Sequence, residues 1–430
     1  MKVMKSTIIA ILFAEVRLIL HKYKPEIISI TGSVGKTSAK EAVYEVVKAS
    51  GSCRRSDKNY NSEIGVSLAV IGMANPWYSP LGWLLVFLRG LSLIIFKHDF
   101  PKTLVLEVAA DRPGDIKKLA DLINPHIAVV TAIGEVPVHV EFFSGPEEVA
   151  YEKSKILSNL QGADFAILNF DDLAVLKMRR EIRGHVLTFG FGEGANIRAT
   201  DYKLVFGENN GAQRPVGITF KLCHDGRVVP FRIFDTFGKT QVYAALAATT
   251  VGIVKGMNLV DISQSLTRYR SPVGRLSLID GIRQSLILDD SYNASPAAMH
   301  AALDLMRELP AKRKVAVLGD MLELGEYTEL AHRAVAGRLG GVDILITVGS
   351  RAKFIADEAR KNAFARENIF EFYESEEAAA EIKKKVIPGD LILVKGSESM
   401  RMEKIVEAVM AHPEKAGELL VRQEREWKNK

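Results

Sequence analysis

The chain alternates short, continuously apolar runs with longer segments of helical periodicity. The apolar runs are EIISI, TLVLEVA, HIAVVTAI and FAILNF in the first half, and LILDDS, KVAVLGD, DILITVGS and DLILVKGS in the second. Runs of this length, rich in β-branched residues, are typical of strands buried on both faces of a parallel sheet. The segments between them, such as SAKEAVYEVVKAS, TELAHRAVAGRL and EEAAAEIKKKV, have the spacing of helices. The pattern therefore predicts an α/β fold with parallel sheets.

The alternation breaks in the middle of the chain and once more farther on. Ala195 to Phe237 mixes polar and apolar positions with several glycines, which predicts short antiparallel strands. RSPVG, from Arg270 to Gly274, offers a turn before the last α/β block. We therefore predict an apolar helix over residues 1–24, a central domain over 25–271 and a C-terminal α/β domain over 272–430.

Two segments are more apolar than the rest of the chain. Ser6 to Leu20 contains Glu15 and Arg17 and is shorter than the ~20 residues that span a bilayer, so it predicts a packed or surface-lying helix. Trp77 to Phe96 is long enough to span, but a proline and an arginine interrupt it. Its alternatives are a buried helix, a helix resting on a membrane or partner, and a true span. We expect this insertion, 77–96, to pack on the N-terminal helix and to bury the apolar faces of both.

The composition is that of a folded protein that binds small molecules. Of 430 residues 47% are hydrophobic, which is ample for sizeable cores, and the net charge of +5 is not gathered into a basic run. This balance favours anionic small molecules and weighs against a nucleic-acid-binding arm. The two cysteines, Cys53 and Cys223, lack CxxC spacing, so neither a disulfide framework nor a zinc site is expected. Because no secretion signal is recognisable, a reducing cytoplasm is the expected location.

The strongest chemical signal is ITGSVGKTSAKE, from Ile30 to Glu41, which follows a predicted strand and opens a predicted helix. Its glycines let the backbone approach phosphate oxygens, the helix N-terminus adds positive potential, Lys36 adds a charge, and Thr37 offers a magnesium ligand. A glycine-rich turn without function would not explain the Lys-Thr pair. The usual G-x-x-x-x-G-K-T spacing needs glycine where Ile30 stands, which weighs against GTPases and motor ATPases. The predicted nucleotide-binding residues of this loop are Gly32, Ser33, Gly35, Lys36, Thr37 and Ser38.

The shortened loop T-G-S-x-G-K-T resembles that of the Mur ligases, the ATP-dependent amide-forming enzymes of peptidoglycan precursor synthesis. Glu107 ends the run LVLE at the carboxyl edge of a predicted strand, where a carboxylate can hold magnesium or pair with a basic residue such as Arg112. The stretch LEVAADRPGDI resembles the segment in which a Mur-ligase glutamate binds the metal. The resemblance implies this role for Glu107.

The resemblance implies two further metal-binding residues that the local pattern does not single out. His139, in TAIGEVPVHVEFFSG, would by itself be a solvated or capping residue, and two residues more than in the family separate it from Glu135. Lys153, in EEVAYEKSKILSNL, has the periodicity of a surface charge, as has Lys155. The family lysine that Lys153 matches reacts with carbon dioxide and holds a second magnesium as a carbamate, which requires a depressed pKa. The expected catalytic residues are Lys36, Glu107, His139 and Lys153, and the expected metal ligands are Thr37, Glu107, His139 and Lys153.

Two segments of the central domain resemble those that surround the nucleotide in the family. ILNFDDLAVL resembles an Asn-x-Asp-Asp segment that includes Asn169, although a helix N-cap explains one of its aspartates equally well. FGKTQVYAALAATTVG resembles the helix that touches adenine, but Thr240, Gln241 and Ala244 replace a histidine and two asparagines. The resemblance implies nucleotide contacts from Asn169 and Gln241.

The segment SPVGRLSLIDGIRQSLILDDSYNASPAAM resembles the start of the third domain in the family members that add D-alanyl-D-alanine. The resemblance implies nucleotide contacts from Arg275 and Asp290 and a place in the closed site for Asn293. A capped turn leading into a helix near Pro296 would need only some of these residues.

Two later segments also resemble these members. VAVLGDMLELGEYTELAHRA ends in a matching histidine, and VKGSESMRMEKIVEAV retains a lysine and a serine of the family motif. Glu398 replaces a family arginine near the expected position of the incoming amino acid, which reverses the charge there. The expected substrate-binding residues are Asn61, Asn293, His332, Lys395 and Ser397.

The resemblance runs in order from Ile30 to about Val409 and implies a P-loop central ATPase domain with a parallel sheet, followed by a Rossmann-like C-terminal domain. It implies a ligase that uses ATP and Mg²⁺ to join D-alanyl-D-alanine to a muramoyl-peptide acceptor through an acyl phosphate. We expect a monomer that binds small-molecule substrates and no nucleic acid. The expected location is the cytoplasm, with peripheral contact to the inner face of the membrane as an open alternative.

Two functional alternatives stay open. A Mur-like ligase could add another amino acid or use a different acceptor, and a protein of the same fold could bind nucleotide as a scaffold without catalysis. The common enzyme has a further domain before its phosphate loop, where it binds the uridine nucleotide of the acceptor, whereas about thirty residues precede the loop here. We therefore expect weak dependence on the uridine group.

Overall fold

The computed structural model describes residues 2–57, 60–209, 212–424 and 427. Its helices are α1 (Lys2–Tyr23), α2 (Lys36–Lys48), α3 (Glu63–Ile71), α4 (Pro80–Ile95), α5 (Asp115–Ile123), α6 (Pro146–Ser154), α7 (Leu173–Lys177), α8 (Lys239–Val254), α9 (Leu259–Leu266), α10 (Pro296–Glu308), α11 (Thr328–Ala336), α12 (Lys353–Lys361), α13 (Ser375–Lys385), α14 (Glu403–Val409) and α15 (Ala416–Leu419). Its strands are β1 (Glu26–Thr31), β2 (Cys53–Arg55), β3 (Thr103–Glu107), β4 (Ile127–Val130), β5 (Phe165–Asn169), β6 (His185–Gly190), β7 (Ile197–Asn209), β8 (Ala212–His224), β9 (Arg227–Phe234), β10 (Ser277–Asp280), β11 (Leu286–Asp290), β12 (Arg313–Gly319), β13 (Ile344–Val348), β14 (Ile369–Phe372) and β15 (Asp390–Lys395).

The first sheet has the strand that precedes the phosphate loop near its centre. Its strands lie in the order β2-β3-β1-β4-β5-β6-β7-β8-β9. The pairs from β2 to β7 are parallel, whereas β7, β8 and β9 form an antiparallel extension. The sequence predicted short antiparallel strands in this extension, but β7 and β8 each run for 13 residues.

Helices cover both faces of the parallel part, as its continuous apolar strands predict. β3 and β4 are buried along their whole length. One face packs against α1, α3, α4 and α5, and the other packs against α2, α8 and α9. Because β1 lies between β3 and β4, the carboxyl ends of these three strands meet at one edge of the sheet.

The second sheet lies in the C-terminal part, with the strand order β10-β11-β15-β12-β13-β14. All of its pairs are parallel except β10 with β11. Helices α10, α11 and α12 cover one face, and α13 and α14 cover the other. Phe237, from the first part of the chain, belongs to this second core. The predicted α/β fold with two mostly parallel sheets is confirmed.

The two apolar segments of the sequence pack on each other, as expected. Leu12, Val16 and Ile19 of α1 share one core with Val86 and Leu93 of α4, and α3 contributes to the same core. The outward face of α4 is nevertheless exposed, so the expectation that both apolar faces would be buried is wrong for α4. Within the described residues, no helix is long and apolar enough to cross a membrane.

A glycine of α4 and a lysine of α1 lie in the contact between these two helices. A Cβ atom at Gly90 would lie 2.3 Å from Oε2 of Glu15, so a larger residue there would displace the Glu15 carboxylate. Burial raises the pKa of Glu15 to about 7. At the other end of the contact, Lys22 Nζ donates to the carbonyl oxygens of Leu93 and Phe96 at 2.9 and 2.6 Å. Lys22 thereby satisfies carbonyl groups that the last turn of α4 leaves without helical partners.

Replacing Leu12 with alanine should lower the free energy of unfolding by about 2–5 kcal/mol, because its side chain is fully buried in the core that α1 shares with α4. The neighbouring Ile11 is 42% exposed. Ile11→Ala is therefore a matched control that should cost less than about 1 kcal/mol. Urea unfolding followed by tryptophan fluorescence measures both variants, since Trp83 packs against this core. Equal losses for the two variants would contradict the packing of α1.

Candidate active site

The phosphate loop has the backbone conformation that its glycines predict. Gly32 has a φ of +145°, and a Cβ atom there would lie 2.1 Å from a threonine hydroxyl oxygen. Gly35 has a φ of +87° and leads into α2. Both positions therefore require glycine. The amides of Ser33 and Val34 donate to the carbonyl oxygen of Ala132 at 2.6 and 3.0 Å, which holds the loop against the segment that follows β4.

Lys36 is the first residue of α2 and faces the space beside the loop. Its Nζ lies 3.4 Å from the carbonyl oxygen of Ser33. Burial lowers the pKa of Lys36 and the charge of Arg275 lowers it further, whereas Glu107 and Asp111 act in the opposite direction. A cation held at the loop by one long hydrogen bond, as far as the described residues go, is well placed for an incoming anion.

Glu107 and Thr37 form the part of the site that fits a divalent cation. Glu107 ends β3, is 2% exposed, and accepts hydrogen bonds at Oε1 from Thr37 Oγ1 at 3.3 Å and Asn61 Nδ2 at 3.4 Å. Its Oε2 has no hydrogen-bond partner among the described residues, and the ammonium of Lys40 lies 4.0 Å away. Such a carboxylate oxygen beside a threonine hydroxyl fits the oxygen ligands that magnesium prefers.

One of the predicted metal ligands, His139, is paired with carboxylates in this structure. In the part of the chain that the structure describes, no group of three or more His, Cys, Asp or Glu side chains is arranged to hold a metal ion. His139 Nδ1 lies 2.5 Å from Glu323 Oε2 of the C-terminal part, and its Nε2 lies 3.7 Å from Asp111 Oδ1. The pairing with His139 lowers the pKa of Glu323. His139 thus connects the two parts of the chain in this structure.

Lys153 is buried, so the interpretation of its periodicity as that of a surface charge is wrong. It lies in α6, is 2% exposed, and has its pKa lowered to about 7, first by burial and then by the charge of Lys36. The preceding Glu152 accepts hydrogen bonds from the amides of Gly114 and Ile116 at 2.9 and 2.7 Å. These bonds fix α6 at the N-terminus of α5 and so determine where the lysine lies.

The C-terminal part reaches the phosphate loop through Arg275. One terminal nitrogen of its guanidinium donates to Thr37 Oγ1 at 3.0 Å, and the guanidinium carbon lies 4.1 Å from the ring centre of Tyr292. The Nε atom is buried and has no hydrogen-bond partner among the described residues. Guanidinium groups bind phosphate through such N–H donors, so Arg275 is placed to contact a nucleotide at the loop.

Lys395 and Asp290 form a buried ion pair behind Arg275. Lys395 Nζ lies 2.5 Å from Asp290 Oδ2 and donates to the carbonyl oxygen of Asn293 at 2.9 Å. Burial raises the pKa of Asp290, and the charges of Lys395 and Arg275 oppose that rise. The amide of Leu276 donates to Asp290 Oδ1 at 3.2 Å. The pair therefore orients both the turn with Asn293 and the segment with Arg275.

These groups surround a cavity of about 480 Å³ between the two parts of the chain. The predicted residues that line it are Ser33, Gly35, Lys36, Asn61, Glu107, His139, Arg275 and Asn293. A second cavity of about 60 Å³ shares some of these residues and is also lined by Ser38, Gln241, Asp290 and Lys395. The fold thus brings together most of the residues predicted from distant parts of the sequence.

The predicted residues that line neither cavity are Gly32, Thr37, Lys153, Asn169, His332 and Ser397. Of these residues, Asn169, His332 and Ser397 stabilise turns. Asn169 Oδ1 accepts from the amide two residues on at 3.0 Å, and the fully buried His332 accepts at Nε2 from the amide of Met321 at 3.0 Å. Ser397 Oγ accepts from the amide of Leu322 at 2.9 Å. Their observed bonds position the walls of the site, and the substrate and nucleotide contacts implied for them stay predictions.

Gln241 also has its side-chain amide engaged within the protein. Its Oε1 accepts from the hydroxyl of Tyr269 at 2.6 Å, and its Nε2 donates to Ser271 Oγ at 2.9 Å. These bonds hold the segment that joins the two sheets. Asp172, in the segment ILNFDDLAVL, caps the N-terminus of α7. This agrees with the alternative interpretation of that segment, in which one of its aspartates is a helix N-cap.

The sequence interpretation missed two acidic residues of the cavity wall, Asp111 and Glu323. Asp111 lies four residues beyond Glu107 on the same strand-to-helix connection, which was a usable signal. Glu323 lies in GDMLELG, a segment that was noted only for the histidine that follows it. Both residues lie in loops, and the approach of one loop to another is not visible in a local pattern.

A glycine loop between a buried strand and a helix, with a buried carboxylate and cations from two domains around one cavity, is typical of enzymes that transfer a phosphoryl group from ATP. Known protein families agree with this class. Residues 88–252 match the Mur ligase middle domain, and residues 274–398 match the Mur ligase, glutamate ligase domain. Together these two matches span more than half of the chain.

Individual proteins are similar over most of the chain. The UDP-N-acetylmuramoyl-tripeptide--D-alanyl-D-alanine ligase of Bacillus subtilis (strain 168) is 28% identical over 397 residues, which are 92% of this chain and 78% of that enzyme. The MurF ligase from Thermotoga maritima, solved in complex with ADP, has a TM-score of 0.74 and 25% identity, and the match covers 93% of this chain and 83% of that one. MurF from Acinetobacter baumannii has a TM-score of 0.75 at 23% identity, with 92% and 79% covered. The chain belongs to the Mur ligase family and is an ATP-dependent ligase.

Proposed function

We propose that this ligase joins D-alanyl-D-alanine to the peptide of a muramoyl-tripeptide in peptidoglycan precursor synthesis. Its relatives named for that reaction align with about nine-tenths of the chain. The observation that carries the proposal is the convergence of Lys36 and Glu107 of the first part with Arg275 of the second part around one cavity, where Thr37 hydrogen-bonds to both Glu107 and Arg275. A cavity with cations from both sides suits a reaction that must hold ATP and two further substrates.

The reaction that this geometry supports has two steps. The terminal carboxylate of the acceptor attacks the γ-phosphorus of ATP, which forms an acyl phosphate and releases ADP. The amine of the second substrate then attacks the acyl carbon, so that a carbon–nitrogen bond forms and phosphate and a proton leave. Lys36 and Arg275 stabilise negative charge on the transferring phosphoryl group. No protein nucleophile is required.

Thr37 and Glu107 are the residues that would hold Mg²⁺, because their oxygens are adjacent and one of the Glu107 oxygens is unpartnered. Bound magnesium neutralises charge on the phosphates in reactions of this class. We also propose that Lys153 is carbamylated and that the carbamate, with His139, supplies further metal ligands. The burial of Lys153 and its pKa of about 7 support this, because the neutral amine is the form that reacts with carbon dioxide.

The protein is proposed to act as a monomer in the cytoplasm, where ATP is available.

Glu398 favours a second candidate, a ligase for a different amino acid. It lines the cavity, where the family resemblance places an arginine near the incoming amino acid. Tyr292 lines the same cavity, and burial together with the charges of Glu107 and Glu398 raises its pKa to about 12. A carboxylate at this position repels the carboxylate of D-alanyl-D-alanine and would attract a substrate with a cationic side chain.

Glu398→Arg is expected to lower the KM for D-alanyl-D-alanine about tenfold, because it replaces a repulsion by a charge-assisted hydrogen bond. Steady-state kinetics with D-alanyl-D-alanine and with D-alanyl-D-lysine measure this. Glu398→Gln is the matched control that removes the repulsion without adding a positive charge. An unchanged KM in both variants would mean that Glu398 does not face the dipeptide. A wild-type preference for D-alanyl-D-lysine that the arginine variant loses would favour the second candidate.

The proposed function is tested by incubating the protein with ATP, D-alanyl-D-alanine and candidate acceptors, and then measuring product masses. The acceptors are muramoyl-tripeptides with and without the uridine nucleotide. The expected product has the mass of acceptor plus dipeptide minus water, with one ADP and one phosphate formed per new bond. ATP hydrolysis that does not depend on the acceptor and yields no amide would contradict ligation and favour a nucleotide-dependent scaffold.

A further inference from the structure

The outward face of α4 is an apolar stripe that nothing in the described chain covers. Its members recur every three or four residues and are between 48% and 66% exposed: Leu81, Leu84, Leu85, Leu88, Leu91 and Ile95. The opposite face of the same helix is buried through Val86, Gly90 and Leu93. Single exposed apolar residues are normal on a protein surface, but six in one continuous stripe mark an interaction site.

Aromatic side chains extend the stripe at both of its ends. Trp77 and Tyr78 precede α4 and are 52% and 94% exposed, and Phe96 follows it at 63%. The turn before the helix is ordered by hydrogen bonds, because the amide of Trp77 donates to Asn75 Oδ1 at 2.9 Å and Trp83 Nε1 donates to the carbonyl oxygen of Trp77 at 3.0 Å. Exposed aromatic rings at the ends of an apolar helix are typical of segments at the boundary between lipid and water.

The charges around the stripe are mostly positive. From Trp77 to Phe100 the chain contains Arg89, Lys97 and His98, and one acidic residue, the exposed Asp99. By helical spacing Arg89 lies at the edge of the stripe, next to Leu85. Lys22 adds a third cation at the end of α4, where its Nζ is bound to carbonyl oxygens of the last turn. The acidic residue of α1, Glu15, points instead into the contact with Gly90.

We propose that the outward stripe of α4 docks the protein on an anionic lipid bilayer, with the helix lying flat in the interface. The 16 residues of α4 span about 24 Å, less than the ~30 Å of a hydrocarbon core, which suits a helix that lies on a membrane rather than one that crosses it. Leucine side chains enter the headgroup region, and Arg89 and Lys97 reach phosphate groups beside them. This proposal does not depend on which substrates the ligase uses.

A second copy of the chain fits the stripe less well. In a symmetric pair the same surface meets itself, so the cations beside one stripe would face the cations beside the other. Within Trp77 to Lys97 no acidic residue can pair with Arg89 and Lys97, and a single aspartate, Asp99, follows them, so the net interaction of the two surfaces is repulsive. An anionic surface complements the same charges.

Flotation of the full-length protein with vesicles tests the proposal. Vesicles of equal parts phosphatidylglycerol and phosphatidylcholine should bind the protein. The double variant Leu84→Ser with Leu88→Ser should weaken binding about tenfold or more, because two leucines no longer enter the lipid. Leu330, 69% exposed on α11, provides the control, since Leu330→Ser removes a leucine that is more exposed than Leu84 or Leu88 but lies outside the stripe, and it should not change binding.

A second variant tests whether positive charge beside the stripe contributes to vesicle binding. Replacing both Arg89 and Lys97 with glutamine should weaken binding to the mixed vesicles about tenfold and make it nearly independent of phosphatidylglycerol. Phosphate release from ATP shows whether each variant is folded, because the stripe lies outside the catalytic cavity. Wild-type protein that fails to bind the mixed vesicles, or leucine variants that bind as well as wild type, would overturn the proposal. Light scattering that shows a dimer lost in the leucine variants, without vesicle binding, would overturn it in favour of a second copy.

Discussion

Lys36→Ala is expected to reduce ligation about a hundredfold to a thousandfold, which corresponds to ~2.7–4 kcal/mol of transition-state stabilisation. The free energy of unfolding should not fall, because burial lowers the pKa of Lys36 and the variant removes the cost of burying that ammonium. Among the described residues the Lys36 ammonium donates one long hydrogen bond of 3.4 Å, to the carbonyl oxygen of Ser33, so its removal costs little hydrogen bonding. Its charge acts instead on the phosphoryl group during transfer. Acceptor-dependent phosphate release measures the rate, and urea unfolding measures the stability.

Two control variants separate the effect of charge at the phosphate loop from the general loss of a lysine. Lys117, an exposed lysine of α5 paired with Asp121, provides the first, because Lys117→Ala should leave the rate unchanged. Lys36→Arg provides the second, since it retains the charge but not the compact ammonium. If Lys36→Ala turned over substrate at the wild-type rate, the loop would not be the ATP site.

Lys153→Ala is expected to reduce ligation about a hundredfold, because a carbamate that holds a metal acts directly on the charge of the transferring group. Acetate or propionate should restore part of the rate by placing a carboxylate in the space that the side chain leaves. Lys155→Ala is the matched control two residues away on the chain. Its Nζ lies 3.5 Å from the ring centre of Tyr151, away from the cavity lining, and its loss should not change the rate. An unchanged rate in Lys153→Ala would contradict the carbamate.

The dependence of the Lys153 site on pH follows from the direction of its shift. Its pKa is about 7 in the folded protein and 10.5 ordinarily, so the folded state binds its proton less tightly than the unfolded state. The neutral amine predominates above pH 7, and activation by added bicarbonate should therefore fall as the pH drops through 7. The same shift destabilises the fold increasingly as pH falls from 10.5 to 7, and by a constant amount below 7.

A variant without the amine should remove that pH-dependent destabilisation. Lys153→Met retains most of the buried volume, and we expect it to raise the free energy of unfolding at neutral pH by roughly 2–4 kcal/mol. Ligation should be lost in the same variant. Urea unfolding at several pH values measures the gain, which should shrink toward pH 10. A variant no more stable than wild type at pH 7 would mean that the amine is hydrated or paired in the folded protein.

The sequence by itself determined the parallel core of both sheets and the identity of the loop. Eight strands coincide with continuous apolar runs of the sequence: β1, β3, β4, β5, β11, β12, β13 and β15. A strand that is buried on both faces needs apolar residues at every position, so its sequence forms such a run. The strands that the pattern missed include β2, β10 and β14, which lie at sheet edges. An edge strand is covered less completely, so its residues, such as CRR in β2, do not form an apolar run.

Only the tertiary structure decided which side chains of the site are buried and which meet. Lys153 and Lys155 have similar local patterns, yet the first is enclosed because Glu152 attaches α6 to α5. The contact of His139 with Glu323 joins loops that are far apart in the chain. Burial and charge pairing depend on the neighbours that the whole fold supplies, and those neighbours determine pKa values and metal ligands.

The outward stripe of α4 illustrates the same division. The apolar composition of Trp77 to Phe96 predicted a helix that needs a partner, and α1 does cover one side of it. The sequence did not show that α1 would cover only part of the apolar surface of α4. Two helices contact along one stripe each, so a helix that is apolar all round keeps an uncovered face unless further elements pack on it. The number of those elements is a property of the assembled fold and not of the segment.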